Sequence, residues 1–224
     1  MTYLTEEQHA IVSGAVKAAE ANTSGEIVTV LADRSDGYTD VALSWAALAA
    51  FTAMSVLAMF PHWIEAKIAL LRGGWAGEWS LGATIALVVG VGVLKFVAML
   101  LLQLWQPLKF ALIPGPVKFA RVHARAVSHF KVGAERRTHG RTGVLLYLSM
   151  REHRAEIVAD EPIAALVPAE VWGDAMVDML VEIKRGNVAE GLAAGVRDVG
   201  AILAEHFPPA EDDENELPDR LIVV

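Results

Sequence analysis

The sequence predicts an α/β domain, with a small mixed sheet covered by helices, that is interrupted by a two-helix transmembrane hairpin. Three observations predict this fold class. Two long apolar runs stand in the first half of the chain. Two short apolar strands flank a charged turn in RTGVLLYLSMREHRAEIVAD, residues 141–160. Helical patterns of apolar residues, with capping residues at their starts, occur on both sides of these features.

The two apolar runs have the length of membrane spans. The first, VALSWAALAAFTAMSVLAMF at 41–60, contains no charge, and at 1.5 Å per residue it measures about 30 Å, one hydrocarbon thickness. The second, residues 81–105, is apolar except for Lys95 and Gln103. A buried core helix is the alternative, but uncharged runs of this length favour the membrane. The linker at 61–80 contains Trp63, Trp75 and Trp79, which suit an aromatic belt.

The distribution of basic residues predicts the orientation of the two-helix transmembrane hairpin in the membrane. The N-terminal 40 residues and the linker contain only two Lys or Arg each, whereas the segment at 106–141 contains eight. Because basic residues accumulate on the cytoplasmic side, both termini are expected in the cytoplasm and only the linker outside. The eight are Lys109, Lys118, Arg121, Arg125, Lys131, Arg136, Arg137 and Arg141.

Lys95 is an intramembrane polar residue within the second apolar run. A lysine at mid-bilayer costs about 2.5–3.5 kcal/mol on the insertion scale, which makes it a functional candidate. The alternative is that its side chain snorkels to the cytoplasmic interface. Helical side chains tilt toward the N-terminus, however, and here that direction leads away from this interface.

The remaining segments predict the α/β domain. Thr5 and Gln8 form a capping box before a first helix, and residues 27–31 form a short strand. A helix with Phe119, Val122, Ala126 and Phe130 on one face precedes the two strands of the β-hairpin, at 143–149 and 155–159. A helix follows Pro168, with Val171, Ala175, Met179 and Ile183 inside, and a last one follows an Asn187–Glu190 capping box.

Residues 1–40 are too few to fold alone, so we expect one cytoplasmic domain with the membrane hairpin inserted in it. The predicted order is a first domain part at 1–40, spans at 41–60 and 81–105 around the linker, a second domain part at 106–207 and an acidic tail at 208–224. The net charge of −8 argues against nucleic acid as a partner. The absence of cysteine excludes thiolate nucleophiles and Cys-based metal sites.

The chain path predicts a polar crevice at the membrane. The first strand ends close to the first span, and the strand at 143–149 must run back toward the membrane, so the two should be parallel. Ligands in α/β sheets bind at the carboxyl ends of such strands. This crevice would contain Asp33, Arg34, Arg151, Glu152 and Arg154, with Arg151 and Arg154 near anionic lipid head groups. An ordinary charged turn is the alternative.

The order of these segments resembles the TPM domain family. The resemblance lies in SGEIVTVL, in GVLLYLSMREHRAEIVAD and in GNVAEGLAAGVRDVG, and it covers roughly residues 3–33 and 117–207. The chain is most similar to bacterial membrane proteins whose TPM domain is split by two spans, which implies the bacterial inner membrane. The Gly-rich turn that many members have after the hairpin reads Val-Ala-Asp-Glu-Pro here, at 158–162.

The resemblance implies two chemistries, because acid phosphatase activity and Ca²⁺ binding are described for some TPM domains. The sequence has no recognisable phosphatase nucleophile motif. Glu170, Asp174, Asp178 and Glu182 form a carboxylate stripe, which is more typical of a solvated helix face than of a metal site. Two functions remain: a non-enzymatic module for membrane-protein assembly or maintenance, with other membrane proteins as partners, and a phosphate-ester hydrolase near the membrane.

Overall fold

The structure is a computed structural model that describes residues 3–60, 62, 66, 80–133, 142–209, 217 and 219–224. The predicted tryptophan belt, Lys67 and Arg72 of the linker, Arg136, Arg137 and Arg141, and the acidic stretch at 212–216 lie outside these residues. The chain divides into two compact units. The α/β unit comprises Met1–Asp36 and Gly115–Val224, and the two-helix unit comprises Gly37–Pro114.

The α/β unit is built on a four-stranded mixed sheet, which confirms the predicted fold class. Its strands are β1 (Glu26–Ala32), β2 (Gly143–Ser149), β3 (Arg154–Ala159) and β4 (Ile222–Val223), in the order β3-β2-β1-β4. The predicted parallel pairing of the first two strands is confirmed, with Glu26 opposite Gly143 and Ala32 opposite Ser149. β3 pairs antiparallel with β2. The central strands are buried on both faces, as in sheets covered by helices.

Helices cover both faces of this sheet. α1 (Glu6–Glu20), α7 (Ala169–Lys184) and α8 (Val188–His206) enclose one core with Leu31, Leu146 and Leu203 at its centre. α5 (Gly115–Gly133) covers the other face, where Val122, Ala126 and Phe130 pack against Val30 and Leu145. A short helix, α6 (Glu161–Leu166), follows β3. The predicted capping box at Thr5 and Gln8 is formed.

Phe119 lies on the same face of α5 as Val122, as predicted, but it is 51% exposed because it lies in the first turns of the helix, where it stacks on His123. One local prediction, the capping box at Asn187, is wrong. Asn187 precedes α8, but its side chain caps no backbone amide. Its Nδ2 donates instead to Glu182 Oε2 at 2.9 Å, because the tight turn at Gly186, with φ of 93°, brings the end of α7 beside it.

The stretch GNVAEGLAAGVRDVG owes its glycines to close helix packing. A Cβ atom at Gly200 would lie 2.6 Å from Cβ of Ala19 on α1. A Cβ atom at Gly191 would lie 2.8 Å from the carbonyl oxygen of Met179 on α7. Because real Cβ atoms do not approach other atoms so closely, larger residues would push α8 away from both neighbours.

The end of the predicted acidic tail is part of the sheet. Ile222 and Val223 pair parallel with Val30 and Leu31, so β1 is not an edge strand there. Leu217 and Leu221 are buried, one in each core. The last residues therefore complete the α/β unit.

The two-helix unit consists of α2 (Thr39–Met59), α3 (Leu81–Leu102) and the short α4 (Gln106–Leu112). α3 ends three residues before the predicted limit at Trp105, because Pro107 has no N–H to continue the helical hydrogen bonding. Ala42, Ala46 and Ala50 form the buried stripe of α2. At Gly92 of α3 a Cβ atom would lie 2.4 Å from Sδ of Met54, so the side chain of Met54 occupies the space that a larger residue at this position would need.

Both long helices have the length and composition of membrane spans. Only 11% of the apolar window of α2, and 6% of that of α3, is buried. The remaining surface exposes large apolar side chains, among them Leu48, Phe51, Val56, Ile85, Val93 and Leu94. Most of their apolar area therefore faces outward.

Candidate functional site at the carboxyl edge of the sheet

Parallel pairing brings the residues that follow β1 and β2 together at one edge of the sheet. Met150 N donates to Ala32 O at 3.0 Å, and Arg151 N donates to Asp33 O at 3.1 Å. The ladder thus continues past both strands. His153, with a φ of 51°, turns the chain from β2 into β3. The carboxyl edge therefore contains the predicted crevice residues that follow the two strands.

Asp33 and Arg151 form the exposed part of this edge. Nε of Arg151 lies 3.0 Å from both carboxylate oxygens of Asp33, and the hydroxyl of Tyr3 donates to Oδ1. Burial alone would raise the pKa of Asp33, but the bonds from Tyr3 and Arg151 outweigh it and leave this pKa below its usual value. The same carboxylate raises the pKa of Arg151. The charge of Arg151 is therefore balanced within the unit.

Glu152 lies in the buried part, where it ends a chain of hydroxyl groups. Ser149 Oγ donates to Glu152 Oε2 at 2.5 Å, and Ser35 N donates to Oε1 at 2.9 Å. Ser35 Oγ donates to Ser149 Oγ at 3.0 Å and lies 3.1 Å from the hydroxyl of Tyr147. Glu152 is 4% exposed and Ser149 is 0% exposed. These bonds fix the segment after β1 to the turn after β2.

Arg154 and Arg34 are placed apart from the Asp33–Arg151 pair. Arg154 begins β3, and its guanidinium carbon lies 5.8 Å from the ring centre of Phe119, a cation–π contact. Arg34 is exposed, and its charge only helps to lower the pKa of Asp33. The structure thus separates the five predicted crevice residues into an ion pair, a buried carboxylate and two outlying arginines.

Sequence reasoning missed Tyr3, Ser35, Tyr147 and Ser149. Ser35 and Ser149 could have been found, because each closely follows or ends a strand whose carboxyl end was already assigned to the crevice. Tyr147 lies two residues before Ser149, on the same face of β2. Tyr3 gave no signal, because it lies before α1 and reaches Asp33 only in the folded unit.

The carboxylates of this edge do not fit a calcium site. Asp33 accepts from Tyr3 and Arg151, and Glu152 accepts from Ser35 and Ser149, so protein donors already occupy their oxygens. In the stripe on α7, Glu182 is held by Arg185 at 2.6 Å and by Asn187. Within the described ranges no cluster of three or more His, Asp or Glu side chains could hold a metal ion.

A carboxyl group with a shifted pKa also lies at the opposite edge of the sheet, where β1 and β2 begin. Glu20, at the end of α1, accepts from Ile27 N at 2.9 Å. Burial raises the pKa of its carboxyl to about 8, and the nearby charges of Glu26 and Asp219 contribute. Asp160 also lies at this edge, where its Oδ2 accepts from Gly143 N at 3.0 Å. Where the resemblance predicted a Gly-rich turn, the chain has an aspartate that accepts a hydrogen bond from the first residue of β2.

Two comparisons with known proteins bear on the fold of the chain. A TPM domain is found at residues 121–202, from α5 to α8. The chain is similar to the NMR structure of BA42 protein from the psychrophilic bacterium Bizionia argentinensis sp. nov.. The TM-score is 0.56 at 20% identity, over 99% of this chain and 95% of that one, so the likeness concerns the fold. No curated protein matches the chain.

Proposed function

We propose that this chain is an integral protein of the bacterial inner membrane, and that its TPM-like α/β unit acts in the cytoplasm in the assembly or maintenance of membrane proteins, without catalysis. The observation that carries the proposal is the outward-facing apolar surface of the two-helix unit. Phe51 is 66% exposed and Leu94 is 65% exposed. In water such a surface would be an aggregation hazard, whereas in a bilayer it is solvated.

The distribution of polar contacts in the two-helix unit supports a membrane position. Nε2 of Gln103 donates to Ala42 O at 3.1 Å, Nε1 of Trp45 donates to Leu112 O at 2.9 Å, and Nζ of Lys109 donates to Gly37 O at 2.6 Å. All three lie where α2 starts and α3 ends. This end suits a polar interface, whereas the rest of both helices suits hydrocarbon.

The tip of the β2–β3 hairpin supports a contact with lipid through Arg154 rather than Arg151. Arg151 is paired with Asp33. Arg154 has no carboxylate partner among the described residues, and it lies over Phe119, whose ring is exposed. A cation beside an exposed aromatic ring suits an anionic lipid surface, where one basic residue contributes about 1 kcal/mol.

The lipid contact can be tested in nanodiscs of varied anionic lipid content. Arg154→Gln should reduce cross-linking of the α/β unit to lipid and remove its dependence on lipid charge. Arg151→Gln is the matched control and should change it less. Equal cross-linking in both variants and in the parent would show that the tip is an ordinary turn.

The buried hydroxyl chain supports a non-enzymatic role. The two serines are engaged with Glu152 and with each other, and Ser149 has no exposed surface. A nucleophile must reach its substrate. For the alternative of a phosphate-ester hydrolase, phosphatase assays on detergent-purified protein, with and without Mg²⁺ or Ca²⁺, should give no turnover. Turnover that is lost in Ser149→Ala would establish the alternative.

Topology provides the direct test of membrane integration. The chain should stay in the membrane pellet after sodium carbonate treatment. Reporter fusions should be cytoplasmic at residues 1 and 224 and external near Gly74. Release by carbonate, or an external report from residue 224, would overturn the proposal.

A further inference from the structure

Lys95 occupies an unusual place on α3. It is the one Lys, Arg, Asp or Glu of this helix. At 1.5 Å per residue it lies roughly 21 Å from Leu81 and roughly 10 Å from Leu102. Its side chain is exposed rather than turned toward α2.

Gln103 and Lys109, which lie near this end of the unit, have partners within it, whereas Lys95 has none among the described residues. Gln103 and Lys109 each donate to a backbone carbonyl of the segment around the start of α2. No salt bridge or hydrogen bond joins Lys95 to any part of the chain that the structure describes. Among the described residues, its ammonium group therefore has no compensating charge or acceptor.

A lipid phosphate is a poor partner for this ammonium group. The nearer end of α3 is roughly 10 Å away along the helix, more than the reach of four methylene groups. The Cα–Cβ bond of a helical residue also tilts toward the N-terminus, which is away from that end. Lys95 would have to fold back against this direction and still not reach the end of the helix.

A second copy of the chain is also a poor partner. Between Val41 and Phe60, and again along α3, the sequence contains no Asp or Glu. Asp40, in the first turn of α2, lies beside the end of α3 rather than at the depth of Lys95. A partner copy would therefore bring apolar side chains to this place.

We propose that Lys95 pairs with an Asp or Glu side chain in a transmembrane helix of a different membrane protein, at the same depth in the bilayer. The proposal rests on the membrane integration proposed above and specifies the partner of that function. Charged residues in spans pair with one another or face polar cavities, because hydrocarbon offers them no hydrogen bonds. The outward-facing ammonium marks the flank of α3 on which the partner helix would lie.

Site-specific photo-cross-linking of the full chain in native membranes tests this pairing. A benzoylphenylalanine probe at Val91, four residues before Lys95, lies beside it on the helix surface, whereas a probe at Val93 does not. The probe at Val91 should capture a membrane protein with an Asp or Glu in a span. Capture should fall at least tenfold in Lys95→Met and persist in Lys95→Arg. The probe at Val93 should be insensitive to both changes.

Charge exchange decides the assignment. Lys95→Glu should abolish capture, and replacing the carboxylate residue of the captured protein with Lys should restore it. Capture of lipid alone, of a second copy, or of nothing, or capture unchanged in Lys95→Met, would overturn the pairing. Carbonate extraction of each variant separates the two proposals: a chain that remains integrated without Lys95-dependent capture defeats only the pairing, whereas a released chain defeats the membrane proposal.

Discussion

The α/β unit and the two-helix unit use apolar side chains in opposite ways. In the α/β unit Leu31, Leu146 and Leu203 are fully buried between the sheet and its helices. In the two-helix unit side chains of the same kind, such as Leu94 and Phe51, face outward. Under the membrane location proposed above, the two units are adapted to different solvents, because burial of apolar area stabilises a fold only where water is the alternative.

The interiors of the two units differ accordingly. The α/β unit fills its cores mainly with Leu, Ile and Val, whereas the buried positions of the two long helices in the two-helix unit are Ala and Gly. In lipid, apolar side chains gain little by meeting each other, so helices associate by close approach of their backbones. Small residues at the contact permit that approach.

The largest expected effect tests the core of the α/β unit. Leu146→Ala removes a fully buried side chain from β2 and should lower the free energy of unfolding of this unit by about 2–5 kcal/mol. Hydrogen exchange of the β1 and β2 amides in detergent solution measures it. The control Leu94→Ala, at an exposed site on α3, should leave this exchange unchanged. A similar loss of amide protection in both variants would contradict the view that apolar side chains stabilise the α/β unit by burial and face outward in the two-helix unit.

The next effect tests the interior of the two-helix unit. Gly92→Leu should force α2 and α3 apart, because even a Cβ atom at this site would lie 2.4 Å from Sδ of Met54. The chain has no cysteine, so spin labels on Leu43→Cys and Leu104→Cys can report the separation. Gly90→Leu is the matched control, since a Cβ atom there meets nothing within 4 Å. Equal distances in both variants would argue against close packing.

A smaller effect concerns the carboxyl of Glu20. Its pKa of about 8, against an ordinary 4.5, means that the folded unit keeps a proton that the unfolded chain releases. The free energy of unfolding should therefore fall as pH rises from about 4.5 to about 8. Glu20→Gln should remove this slope. The free energy of unfolding of the variant should therefore equal that of the parent below about pH 4.5 and increasingly exceed it as pH rises to about 8.

Urea titrations of the α/β unit at several pH values measure this gain. Glu7→Gln, at an exposed site on α1, is the control and should keep the slope of the parent. A Glu20→Gln variant with the pH dependence of the parent would show that Glu20 is ionised in the folded unit.

The smallest effect concerns the ion pair at the carboxyl edge. Asp33→Asn should lower the free energy of unfolding at pH 7 by at most about 1 kcal/mol, because both partners are partly exposed. The lowered pKa of Asp33 means that its stabilisation is present above the ordinary pKa and is lost as pH falls through the lowered one. The difference between variant and parent should therefore vanish in acid.

The same urea titrations, extended to acid pH, check this prediction. Asp174→Asn, at an exposed site on α7, is the matched control and should leave the stability at acid pH and at pH 7 unchanged. A deficit in Asp33→Asn that persisted in acid would mean that the hydrogen bonds, rather than the charge, hold this edge together.

The sequence could predict features that follow from local patterns or from chain path. The parallel pairing of β1 with β2 was predictable because the two apolar helices inserted between these strands constrain the direction in which each strand must run. β4 was not, since the short apolar run at 221–224, after an acidic stretch, carries no signal of pairing with a strand far away in sequence. Tyr3 and Asp33 meet for the same non-local reason. Asn187 matched a capping pattern, but a nearer acceptor at Glu182 bound it.

The contacts at the open end of the two-helix unit have a consequence for the order of folding. β1 is synthesised long before β2, and the inserted segment lies between them as one long loop. Closing a flexible loop costs entropy that rises by about 0.6 kcal/mol for each doubling of its length. The bond from Lys109 to Gly37 and the edge contact of Tyr38 with Phe110 join the two ends of this segment. Once these contacts form, the segment between them no longer adds to the loop, and the entropy cost of bringing β2 to β1 is that of the shorter remaining connection.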